Sequence, residues 1–189
     1  MRVTSSSSDD RRTRLGALLA AVRPADDAEA RHLARMRILL GAAGDPFARD
    51  HYAPGHFTAS AFVTPPDRSA LLLIHHGKLH RWLQPGGHVD PADADVLATA
   101  RREVGEEVGL TDLRLVGAGI HDVDVHVIPA RPTEPAHEHF DVRFLFEAPV
   151  ADVRAATDAV DARWVALTDV PAIATDASVL RAVRKLTGR

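Results

Sequence analysis

"LQPGGHVDPADADVLATARREVGEEVGL", residues 83–110, places Glu103, Glu106 and Glu107 within five residues, just before a glycine. Asp93 or Asp95 can cap a helix that runs through Val108 and stops at Gly109. On such a helix the three carboxylates project from one side, because Glu103 precedes the other two by three and four positions. Leu97, Ala100, Val104 and Val108 form a separate apolar stripe that can anchor the helix to a sheet. Like charges at these spacings repel by about 0.2–0.5 kcal/mol per pair in water. A divalent cation reverses that sign. Hard, oxygen-seeking Mg²⁺ or Mn²⁺ suits a carboxylate cluster, and Mg²⁺ commonly bridges such groups to substrate phosphates. An isolated E-x-x-E-E is otherwise an ordinary solvated acidic face, so its surroundings must decide.

Working outward, "HFTASAFVTPP" and "SALLLIHHG" read as strands before this helix, the second apolar enough to be buried on both faces. After it, "LRLVGAGIHDVDVHVIP", "HEHFDVRFLFEAP" and "DARWVAL" are also strand-like. "DASVLRAVRKLTG" closes the chain as a helix, with Asp176 a candidate cap and cations in the last turns. Strands on either side of a central helix, with a helix at the end, predict an α/β fold with a mixed sheet covered by helices. Two further helices are expected near residues 11–22 and 26–42, separated by "RPADDA" and stopped by "GAAGDP". The expected organisation is a disordered tail over 1–10, a helical extension over 11–45 and the main domain over 46–189.

Composition narrows the function classes. The chain has 189 residues, a net charge of −3 and no cysteine. The charge gives no global basic field, so bulk nucleic-acid binding is not expected. Without cysteine there is no disulfide, thiolate metal site or thiol nucleophile. A cytoplasmic, reducing location fits, and no apolar run approaches the roughly 18 residues of a membrane span. "RRTRLGALLAAVRPA" superficially resembles a secretion signal, but Asp9 and Asp10 precede its basic residues. Leu15, Leu18, Leu19 and Val22 instead fit one face of an amphipathic helix.

Residues 87–110 resemble the signature of the Nudix hydrolase family, G-x5-E-x7-R-E-U-x-E-E-x-G-U, where U is a bulky aliphatic residue. Arg102, Glu103, Val104, Glu106, Glu107, Gly109 and Leu110 all match. The resemblance implies an α/β/α sandwich that hydrolyses a diphosphate linkage in a nucleoside diphosphate derivative or related small molecule. It implies Glu103, Glu106 and Glu107 as catalytic ligands of Mg²⁺, for which Mn²⁺ can substitute, with the Gly87 carbonyl as an additional ligand. Arg102 would orient the glutamates through an ion pair. The general base would be Glu103 or a later residue such as Glu134, Glu138 or Asp141. One departure stands out: fourteen residues separate Gly87 from Arg102, one more than the signature has. Counting forward from Gly87 puts Asp93, at best a shortened substitute, at the signature's first glutamate, and counting back from Arg102 puts Ala94 there; in this family that glutamate helps hold loop and helix together. Gly105, inside the helix, is a second oddity, costing roughly 1 kcal/mol against alanine.

Eight of the eleven histidines fall between residues 75 and 139, and His137 and His139 share one face of a strand. His88, His137, His139 and Arg143 are candidate substrate contacts. Metal ligation by the H-x-H pair in the manner of cupins, and plain surface polarity, are the competing readings. The nine aromatic residues offer few platforms for a base, namely Tyr52, Phe57, Trp82 and Phe140. The isopentenyl-diphosphate isomerase branch of the family uses a catalytic cysteine, which this chain lacks. The alternative to an active hydrolase is a catalytically weak Nudix-like module that binds or senses a metabolite. Its N-terminal helices are too short for a winged helix and lack a basic face. They are expected to pack on the sandwich or to mediate a homodimer.

Overall fold

The computed structural model describes residues 8–77, 79–157, 159–173 and 176–188. Helices α1 (Ser8–Ala21) and α2 (Asp27–Leu40) come first, followed by β1 (Gly55–Thr64), β2 (Ala70–His76), β3 (Arg81–Leu83) and β4 (Gly86–His88). Helix α3 (Val96–Val108) leads to β5 (Arg114–Leu115), β6 (Asp122–Ile128), β7 (His137–Glu147) and β8 (Ala159–Ala166). Two helices, α4 (Val170–Ile173) and α5 (Ala177–Thr187), complete the described chain. The α/β class is as expected. One sheet has the order β4-β1-β7-β5 with β6 also paired to β7, and the other has the order β3-β2-β8.

Local chemistry explains most boundaries. The Asp26 side chain accepts from the Glu29 backbone N–H at 2.8 Å, and Glu29 accepts from that of Ala25 at 2.6 Å, so two otherwise unpaired donors are satisfied at the start of α2. Asp176 caps α5 by accepting from the Ser178 N–H at 2.7 Å, and Gly188, at φ 66°, ends it. The expected strand over 113–129 is instead two, β5 and β6, because Gly117 at φ 75° breaks the run between them. Helix α1 begins at Ser8, inside the segment expected to be a disordered tail; residues 1–7 of that segment lie outside the described residues.

The chain divides into two compact units. The first comprises residues up to Ala59, Gly87–Thr99 and Gly119–Arg143, so the helical segment 11–45 shares a unit with later strands. Its core includes Leu15, Leu19, Leu33, Met36, Phe57, Val123 and Phe140. Helix α2 lies against β6, where His32 approaches Asp124 at 3.3 Å, and Arg35 pairs with Glu138 on β7. The second unit comprises Ser60–Gly86, Ala100–Ala118 and Phe144–Arg189. There Leu71 and Leu73 of β2 pack with Phe62, Leu145 and Val165 against Val179, Ala182, Val183 and Leu186 of α5. Leu72 is also fully buried, so β2 is covered on both faces as its sequence predicts. Among the described residues, no helix is long and apolar enough to cross a membrane.

Candidate functional site

The N-terminal half of α3 and the loop before it belong to the first unit. Asp95 is the cap: its side chain accepts from the Ala98 N–H at 2.9 Å. Asp93 does different work. Its buried carboxylate accepts from the Asp90 N–H at 2.9 Å and the Thr99 hydroxyl at 2.8 Å, joining the loop to the helix. Arg11 of α1, itself buried, donates to the Asp93 carbonyl from Nε at 3.1 Å and from Nη2 at 2.7 Å. The same Nη2 reaches the carbonyls of Pro91 at 2.7 Å and Asp90 at 3.1 Å. Three loop carbonyls, those of Asp90, Pro91 and Asp93, are thus gathered on one guanidinium, a contact that nothing in the spacing of the sequence announces.

The C-terminal half of α3 carries the glutamates, in the second unit. Along the whole of α3 the buried apolar row is Val96, Ala100, Val104 and Val108; Leu97, expected in that stripe, is only half-buried, one position out of phase. Arg102 Nη1 donates to Glu103 Oε1 at 2.9 Å and to Glu106 Oε2 at 2.8 Å, so one cation draws two of the three carboxylates together. Glu107 turns inward, 7% exposed, and accepts from the Gly86 N–H at 2.9 Å. Glu106 has a side chain 51% exposed. The side-chain atoms that could ligate a metal ion on Glu103, Glu106 and Glu107 are carboxylate oxygens, the hard ligands that Mg²⁺ and Mn²⁺ prefer. Gly87, the expected carbonyl ligand, lies on β4 in the first unit.

The other expected site residues separate by chemistry. Arg143 is no surface phosphate contact. It is 3% exposed and held by Asp141 at 2.8 Å, Asp122 at 3.3 Å and Asp124 at 3.3 Å. Three buried carboxylates around one guanidinium satisfy its donors internally and keep its pKa above the ordinary arginine value despite burial. Asp141, a candidate base, is buried and accepts from Thr58 at 3.2 Å as well as from Arg143. Glu138 pairs with Arg35, and Glu134 with Arg49 at 3.6 Å and Arg131 at 3.8 Å. Phe57 and Phe140 are core residues with ring centroids 6.0 Å apart, and Arg163 covers the Trp82 ring at 4.1 Å.

The histidines converge. In the sheet β1 lies between β4 and β7, which brings His56 beside His88 on one flank and His137 and His139 on the other. Ring centroids are 5.1 Å apart for His56 and His88, 4.9 Å for His56 and His139, and 5.0 Å for His88 and His139. His137 stacks on His56 at 5.1 Å, and His126, in register with His139, lies 5.6 Å from it. Burial pushes the pKa of His56 and of His88 down to about 4 and that of His139 to about 2, and the neighbouring rings add to the effect. These three rings, His56, His88 and His139, are therefore neutral near pH 7. His56 was not among the residues expected here; its only signal was its place at the head of an apolar strand.

The NUDIX domain profile matches residues 54–185. No curated protein sequence matches the chain significantly. Among solved structures, the chain is similar to a Caenorhabditis elegans Ap4A hydrolase in a binary complex, at 23% identity and a TM-score of 0.53, over 70% of this chain and 95% of that one. A MutT NUDIX hydrolase from Burkholderia pseudomallei gives 24% identity and a TM-score of 0.52, over 69% and 96%. The NUDIX domain of Shewanella oneidensis NrtR, solved with ADP ribose, gives 18% and 0.53, over 70% and 86%. At these identities the likeness is one of fold.

Proposed function

The chain belongs to the NUDIX domain family, and we propose from that premise that it hydrolyses a diphosphate linkage, in a nucleoside diphosphate derivative or a related small molecule, with Mg²⁺ or Mn²⁺ as cofactor. The observation that carries this reading is the pair of carboxylates, Glu103 and Glu106, gathered on the single nitrogen Arg102 Nη1. Two acids three residues apart on a helix repel each other. Arg102 offsets that repulsion and orients both towards a common point, without itself touching substrate.

Glu103, Glu106 and Glu107 would hold the metal ion. When bound, such an ion supplies neutralisation of the pyrophosphate oxygens and a water of lowered pKa. Glu107 accepts from the Gly86 N–H through one carboxylate oxygen, which fixes the direction of the carboxylate. Glu103, with a side chain 14% exposed, is the better shielded of the two glutamates on Arg102 and is the proposed proton acceptor for the attacking water. The relatives act on or bind nucleotides by name, Ap4A in one and ADP ribose in another, which makes nucleotides the first substrates to try.

The test is a mass-spectrometric product screen with Mg²⁺ or Mn²⁺, run beside Glu107→Gln. The panel holds nucleoside triphosphates, ADP-ribose, dinucleotides, sugar nucleotides and non-nucleoside diphosphates. Metal-dependent cleavage that disappears in the variant supports the reading, and the products identify the bond broken. Undiminished cleavage by Glu107→Gln, or no cleavage of any compound, would overturn it.

A further inference from the structure

We propose that His56, His88 and His139 form a binding site for a transition-metal ion of borderline softness, Zn²⁺ by preference. Each ring offers one nitrogen, and these nitrogens lie within 4.8 Å of one another. Among the described residues, no other group of three histidines or carboxylates is so gathered. Zinc–imidazole bonds of about 2.0–2.1 Å set tetrahedral nitrogens about 3.4 Å apart, so small side-chain rotations close the set.

Two atoms in the cluster call for a ligand. His56 Nε2 and His139 Nε2 are both buried and neither has a hydrogen-bond partner, although interiors nearly always pair such atoms. His56 as a whole is 1% exposed. Its other nitrogen, Nδ1, donates to the His51 carbonyl at 3.3 Å, so Nδ1 carries the hydrogen and Nε2 keeps the lone pair. A backbone carbonyl on one nitrogen and a metal on the other is the usual arrangement of a ligating histidine. His51 is itself fixed, Nδ1 donating to the Gly55 carbonyl at 2.7 Å.

The donor chemistry selects the ion. Three neutral imidazoles with neither thiolate nor carboxylate suit Zn²⁺ and disfavour Mg²⁺ or Ca²⁺. They also disfavour a bare phosphate, since a lone pair repels an anion. Three protein ligands leave a fourth position open. Tyr52, whose ring is 5.0 Å from His137, lines an open pocket of about 630 Å³ together with Arg49.

The experiment is calorimetric titration of the full, tag-free chain, stripped with chelator, with Zn²⁺ in the presence of excess Mg²⁺. One equivalent should bind to the wild type and equally to His75→Ala and Glu106→Gln. Binding should weaken roughly tenfold or more in His139→Gln. Co²⁺ added in place of Zn²⁺ should give the intense visible absorption of a four-coordinate nitrogen site. Equal Zn²⁺ binding by His139→Gln, no stoichiometric binding by the wild type, or a pale octahedral cobalt spectrum would each overturn the proposal. Circular dichroism establishes whether His139→Gln is folded. If it is not, the wild-type stoichiometry and cobalt spectrum decide.

Discussion

Gly55 and Glu138 approach so closely that a β-carbon on Gly55 would sit 1.8 Å from the Glu138 carbonyl oxygen and 2.7 Å from its nitrogen. Both neighbours are main chain, and Glu138 N–H also donates to the Pro54 carbonyl at 3.0 Å, so neither partner can swing aside. Gly55→Ala should therefore destabilise the protein by about 3 kcal/mol or more, read from urea unfolding. A loss below about 1 kcal/mol would show that the strands can part.

Gly105 has the opposite environment. A β-carbon there meets nothing nearer than the Leu110 carbonyl and the Thr111 methyl, each at 3.8 Å. With ordinary contacts and a helical backbone, Gly105→Ala should stabilise by about 0.5–1 kcal/mol. A raised melting temperature is the expected result, and a lowered one would mean that the glycine is required for packing.

Arg11 and Asp93 share one loop but fail differently. Arg11→Ala leaves the carbonyls of Asp90, Pro91 and Asp93 without this donor and should cost about 1.5–3 kcal/mol. Asp93→Ala deprives the Asp90 N–H and the Thr99 hydroxyl of their acceptor and should cost about 1–3 kcal/mol. Chemical denaturation of the two single variants and the double variant checks this. Because both act on one loop, their losses should add to less than the sum.

Turnover and stability should separate at the glutamates. A glutamine at Glu107 can still accept from the Gly86 N–H, so Glu107→Gln should melt near the wild-type temperature while losing nearly all turnover. Glu107→Ala should lose both, with about 1–3 kcal/mol of stability gone. Glu106 is half-exposed, so Glu106→Gln should be severe for turnover and nearly silent in thermal unfolding.

Arg143→Met would leave Asp122, Asp124 and Asp141 buried around no cation, and should destabilise by about 3–5 kcal/mol. The same cluster sets an acid limit. Burial acts to raise the Asp124 pKa, but the His126 hydrogen bond and the Arg143 charge outweigh it and hold the carboxyl below its usual 3.8. Its stabilising contribution is complete above pH 3.8 and is lost as pH falls further, through the folded-state value. Asp124→Asn should flatten the acid limb of stability against pH, and an unchanged limb would exclude Asp124 as its source.

What could be read from sequence was what depends on neighbours along the chain. Helix α3, its glutamates and its terminal glycine follow from spacing alone. Even the one slip in its apolar stripe, Leu97 for Val96, is a choice between adjacent aliphatic residues. Strand partners are another matter. β6 and β7 align Asp122 with Arg143, Asp124 with Asp141 and His126 with His139. D-x-D-x-H on one strand thus faces H-x-D-x-R on the other. The alternation was visible in each strand, but only the register turns Arg143 from an apparent phosphate contact into a buried counter-ion. His56 needed two registers at once, with β4 and with β7, and Arg11 needed a loop 82 residues away.

That last separation is also an interval of time. A ribosome adding about 5–20 residues per second releases Arg11 some 4–16 seconds before Asp93 exists to receive it. In the later part of that wait α1 and α2 both exist but the loop does not, so Leu15, Leu19, Leu33 and Met36 can have only part of their eventual cover. The loop that opens α3 is consequently fixed late, by a residue made early. A nascent chain stalled before Asp90 holds a guanidinium whose three carbonyl partners have yet to be made.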